Sequence, residues 1–77
     1  MNADDIREHM PIVCSNNEQF ATVDRVEGDA IKVTKDEYGR HHWIPMSWVS
    51  YVDDKVHIDR PGEEAMQQWM MSPPRAA

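Results

Sequence analysis

Turn-forming residues cut this chain into short pieces. Pro11, Asn16-Asn17, Gly28, Gly39, Pro45, Asp53-Asp54 and Pro61 follow one another at close spacing. Each turns the backbone for its own reason. Glycine reaches positive φ freely, asparagine tolerates it, and proline can neither continue a helix nor donate to a sheet. Between the breaks, apolar residues alternate with polar ones. Ile31 and Val33 alternate with Lys32 and Thr34, and Ala21 and Val23 with their polar neighbours. A period of two puts one set of side chains on a buried face and the other in solvent. A chain divided in this way folds as short strands joined by tight turns.

The expected elements run as follows. Residues 2–10 read as a short helix capped by Asn2, with Ile6 and Met10 on one face and Pro11 ending it. Ile12 to Cys14 is a brief extended run, and Asn16-Asn17 turns it into a strand from Phe20 to Val26. Val26 falls out of phase with Ala21 and Val23, which predicts a bulge near Asp24-Arg25. Glu27-Gly28-Asp29 makes a hairpin turn into Ile31 to Val33. His41 to Ile44 is extended. Pro45 opens a single helical turn at Met46 to Val49, where Trp48 is expected to close one end of the domain. Val52, Val56 and Ile58 then share one face of a tight hairpin.

From Pro61 the period becomes helical. Met66, Trp69 and Met70 fall at i, i+3 and i+4, while Glu63 and Glu64 suit the positive end of the helix dipole. Pro73-Pro74 stops the pattern. The expected organisation is a β-domain over residues 1–60, an amphipathic helix over 61–72 and a frayed tail over 73–77. About five short antiparallel strands in so short a chain curl most economically into an open barrel, which limits exposed edges.

Size and charge narrow the function. With 77 residues and a net charge of −6, the chain is one small acidic domain. A domain of this size buries only about 60% of its unfolded surface, leaving little room for both a core and a deep catalytic pocket. No apolar stretch approaches the roughly 20 residues that cross a membrane. Asp4, Asp5, Arg7 and Glu8 interrupt any leader-like stretch at the start. Cys14 stands alone, which excludes an internal disulfide and a cysteine-based zinc site. These features point to a cytoplasmic protein without a cofactor.

Several strings also resemble a known family. They are Asp5-Ile6 with His9-Met10, Thr22-Val23-Asp24 with Val26-Glu27-Gly28, His41-His42-Trp43-Ile44-Pro45, and Val52-Asp53-Asp54-Lys55-Val56-His57. Together they resemble the domain-of-unknown-function family 2171, small bacterial proteins similar to PRC-barrel domains, over roughly residues 4–60. The resemblance implies a small PRC-barrel-like β-barrel and a cytoplasmic bacterial setting, with no activity to carry over. Asn16-Asn17 stands where the family commonly has Asp-Gly, and Ala21 where it commonly has Gly. Asparagine accepts the left-handed conformation such a turn needs.

Three groups of residues bear on function. His41 and His42 are adjacent in a strand and therefore point to opposite faces, so a metal or small-ligand site would combine one of them with His57 and a carboxylate such as Asp53 or Asp59. The plainer expectation is packing. Lys32, Lys35, Arg40, His41 and His42 with Tyr38 and Trp43 form a local basic-aromatic cluster, but Asp36 and Glu37 interrupt it and the overall acidity opposes phosphate binding. Nucleic-acid binding is therefore the least favoured alternative. Cys14 lies in an apolar run, where cysteine behaves as a small hydrophobe, and no base is placed beside it. The expected function is a non-enzymatic binding or assembly module, acting as a homodimer or on a protein partner. Its expected contact residues are Met66, Trp69, Met70 and Trp43, because Met71 makes the apolar band wider than one small domain needs.

Overall fold

The computed structural model describes residues 5–72. Its strands are β1 (Pro11–Val13), β2 (Gln19–Glu27), β3 (Ala30–Val33), β4 (His42–Pro45), β5 (Val49–Val52) and β6 (Val56–Ile58), followed by one helix, α1 (Gly62–Gln68). A single 3-10 turn, Met46–Trp48, joins β4 to β5. The fold is mainly β, as the alternating runs predict. The six strands form one sheet in the order β4-β3-β2-β1-β6-β5.

Two features of the sheet differ from expectation. It is mixed, because β1 runs parallel to β6, pairing Ile12 with Val56 and Val13 with His57. The other neighbours are antiparallel. It also has six strands rather than about five; no pairing joins β4 to β5 among the described residues, so the sheet is open. The parallel join has a physical origin. The chain enters the sheet in its middle, so β1 takes the hairpin partner β2 on one side and the distant β6 on the other.

The turns follow the local chemistry. Asn17, Gly28 and Gly39 have positive φ of 66°, 59° and 76°. The register of β2 on β3 shifts between Val23 and Arg25, the bulge that out-of-phase Val26 predicts.

Neither expected helix runs the length of its pattern among the described residues. In the first, residues 2–4 lie outside the described residues, and residues 6–10 are not helical. His9 has φ of 69°, its amide donates to the Val23 carbonyl at 2.8 Å, and the Met10 carbonyl accepts from Val23 at 2.9 Å. Backbone groups bonded to β2 are not available for i to i−4 bonds. The second helix, expected over 61–72, stops at Gln68. Trp69 is extended, with φ −64° and ψ 159°. Met70 then exchanges two backbone hydrogen bonds with Trp43, at 2.9 and 2.8 Å, along the outer edge of β4. The expected tail, 73–77, lies outside the described residues.

The core draws on every element. Ile12, Val23, Ile31, Ile44 and Val56 are completely buried, and they pack with Val49, Ile58, Trp48, Ile6 and Ala65 of α1. Burying one such aliphatic side chain contributes about 1.5–3 kcal/mol. The start of the helix lies against Phe20 at Gly62. A Cβ there would lie 3.4 Å from Phe20. Arg60 fastens the same corner. Its guanidinium stacks 3.9 Å from the Trp48 ring, and it donates to Asp59 at 2.7 Å and to Gln68 at 2.7 Å. No helix among the described residues is long and apolar enough to cross a membrane.

Truncating this core is costly. Ile44→Ala is expected to lower stability by about 2–5 kcal/mol. Exposed Lys35→Ala should change it by less than about 0.5 kcal/mol. Urea unfolding of the two variants checks the contrast.

Candidate functional site

An imidazole buried in a small domain needs partners for its nitrogens. His42 points to the same side of β4 as Ile44, and its ring is buried. Its Nε2 donates to Asp36 Oδ2 at 2.9 Å. Asp36 is itself set by the loop before β4, where the amides of Tyr38 and Arg40 donate to Oδ1 at 2.8 and 3.0 Å. Trp69 lies flat on the imidazole, with ring centres 4.1 Å apart and planes 10° from parallel. Nδ1 is buried without a hydrogen-bond partner. The His42 hydrogen bond, with those of the two loop amides, holds the Asp36 carboxyl well below its ordinary value, at about 2.

A second imidazole is built in the same way. His57 in β6 donates from Nε2 to Asp53 Oδ1 at 2.9 Å, and Tyr51 stacks on its face at 4.0 Å and 13°. The Lys55 amide, then His57, lower the Asp53 carboxyl. In both places a carboxylate holds the edge of the ring and an aromatic side chain covers its face. His41 takes a third course, its Nδ1 donating to the Val33 carbonyl at 2.8 Å. The three histidines of the ligand-binding alternative thus go to three separate partners. Among the described residues, no group of three or more His, Cys, Asp or Glu could hold a metal ion.

Cys14 is buried beside the N-terminal end of α1. Burial pushes its thiol up, but the amides of Asn16, Glu18 and Gly62 together outweigh that and hold it below the ordinary value. Cys14 and His57 line a common cleft of about 610 Å³, yet the hydrogen bond of His57 goes to Asp53. A thiol with no base bonded to it lacks the activating contact that nucleophilic catalysis uses.

The basic-aromatic cluster is divided by the fold. Lys32 pairs with Asp24 at 3.8 Å and lies 5.9 Å from the Trp43 ring centre. The Trp43 ring is buried, and its Nε1 donates to Glu27 at 2.8 Å. That bond is the largest influence holding the Glu27 carboxyl low. Tyr38 remains exposed.

The expected contact residues are also divided. Trp43 is only 8% exposed, with its backbone paired to Met70. Trp69 is half-buried between His42 and Phe20, whose ring centre lies 6.1 Å away. Met66 and Met71 face outward, at 46% and 59% exposure. The surface these residues present is therefore methionine rather than tryptophan. Sequence reasoning missed the His42 socket, although its phase with Ile44 placed it on the inner face.

A family model described as an uncharacterized protein conserved in bacteria, DUF2171, matches residues 6–66. No curated protein matches the chain.

The Trp69 contact is testable by stability. Trp69→Ala is expected to cost about 2–3 kcal/mol in urea unfolding, and Trp69→Phe to restore part of it. Asp36 sets a pH dependence. A carboxyl lowered by folding contributes stability that is present above its unfolded pKa and lost as pH falls through its folded value. Between about pH 4 and pH 2, native stability should fall more steeply than that of Asp36→Asn. Denaturant midpoints of both proteins across that range are the check.

Proposed function

The chain belongs to the uncharacterised bacterial family DUF2171, and we propose that it is a non-enzymatic binding or assembly module acting by self-association or on a protein partner. The observation that carries this reading is the outward pair Met66 and Met71, flanking a segment whose Trp69 is anchored inward. Methionine is flexible and polarisable, and recurs at surfaces that accept partners. Here it stands on a base fixed by the Trp69 stack and the Met70 bridge, so little ordering is left to accomplish on binding.

The proposal includes a PRC-barrel-like curl of the sheet. It is supported by one core cluster that takes residues from all six strands. It also includes a cytoplasmic setting, which suits a single buried free thiol. A non-catalytic role is supported by the three histidines, each held by a partner of its own within the chain.

Sedimentation equilibrium over a wide concentration range, alone and with bacterial cytosolic protein added, tests the reading. The native chain should form complexes that the double variant Met66→Asp/Met71→Asp loses, with no change in its unfolding midpoint. A native chain that stays monomeric under both conditions would overturn the proposal.

A further inference from the structure

We propose that the groove between the start of α1 and the Ser15 to Phe20 segment receives a lysine or arginine side chain from a basic segment of a partner protein. This rests on the binding-module reading and adds the chemistry of the partner. The groove is about 260 Å³, with Phe20, Gly62 and Met66 in its lining and Glu18 and Glu63 beside them. It therefore joins an apolar surface to two carboxylates. A long basic side chain has the matching form, an alkyl stem ending in a cation. Its stem would lie on Phe20 and Met66, and its charged head would meet Glu18 and Glu63.

The carboxylates of this groove differ from most others in the chain. Asp24, Glu27, Asp36, Asp53, Asp54 and Asp59 are each paired with a basic side chain of their own chain. Glu64 accepts from Gln68. Among the described residues, neither Glu18 nor Glu63 has a side-chain hydrogen bond or ion pair, and no Lys or Arg lines the groove. The volume suits one side chain, not a docked helix. Binding a cation there adds attraction without breaking an existing pair.

Charge also decides between occupants. A net charge of −6 attracts a basic partner over distance and repels a second copy. The copy's Arg25, Lys32, Lys55 and Arg60 are already held by its own carboxylates, and its exposed Lys35 and Arg40 would have to approach against that like net charge. A basic partner segment is the better match.

The test is an NMR titration with the capped peptide Ala-Leu-Arg-Leu-Ala, and with the same peptide carrying citrulline, which keeps the shape of arginine without its charge. Shifts should centre on Glu18, Phe20 and Met66 and saturate. Citrulline should weaken binding about fivefold, as should Glu18→Gln with Glu63→Gln, in line with two partly exposed charge contacts. Glu37→Gln should leave it unchanged. Equal binding of the two peptides, or shifts spread over Glu8 and Glu37, would overturn the proposal. The same shifts produced by raising the protein concentration alone would also overturn it, in favour of a second copy. If the peptide fails while Met66→Asp/Met71→Asp still abolishes complexes, the groove assignment falls and the binding-module reading stands.

Discussion

The flat contact between Trp69 and His42 decides what the C-terminal part of this chain presents to solvent. With the rings 4.1 Å apart, Trp69 cannot follow the helical pattern outward. The helix ends one residue earlier, Trp69 becomes extended, and Met70 reaches the edge of β4. That edge would otherwise offer unpaired backbone groups to any passing strand. One aromatic contact thus accompanies the end of a helix, the cover on a sheet edge and the shielding of a buried imidazole. It also leaves Met66 and Met71 on the outside.

The same economy explains the histidines. A small domain has little interior to spare for polar groups, and each buried nitrogen needs a partner. His42 and His57 each meet that need at Nε2 through local carboxylates, Asp36 and Asp53, which lie in the loops leading into their strands, while His42 Nδ1 stays without a partner under the Trp69 ring. Tyr51 serves His57 as Trp69 serves His42. These rings are structural parts, and the acidic residues beside them are part of the same construction. Glu18 and Glu63, which have no such partner, lie elsewhere, beside an apolar groove.

Much of the sheet was readable from single residues. The alternation of Ile31 and Val33, the positive φ of Gly28 and Asn17, and the bulge marked by Val26 are local effects, each set within a few residues. The parallel pairing of Ile12 with Val56 was not readable, because strands of three residues carry too little pattern to name a distant partner. The end of α1 was hidden for a related reason. Met70 keeps helical spacing with Met66, but its backbone is claimed by Trp43, which no local period reports. In the candidate surface, the apolar width of the last segment was visible, while which residues face outward depended on a stack formed across the fold. Glu18 and Glu63 are far apart in sequence, and only the docking of Gly62 on Phe20 brings their groove together.

The central claim is that Trp69 is turned inward onto His42 and that the methionines are thereby turned outward. Nuclear Overhauser contacts between the ring protons of Trp69 and His42, measured in solution at neutral pH, test it most directly. Strong ring-to-ring contacts, together with Trp69–Phe20 contacts, are the predicted result. A Trp69 ring that shows neither, and is quenched by acrylamide as readily as a free indole, would contradict the account.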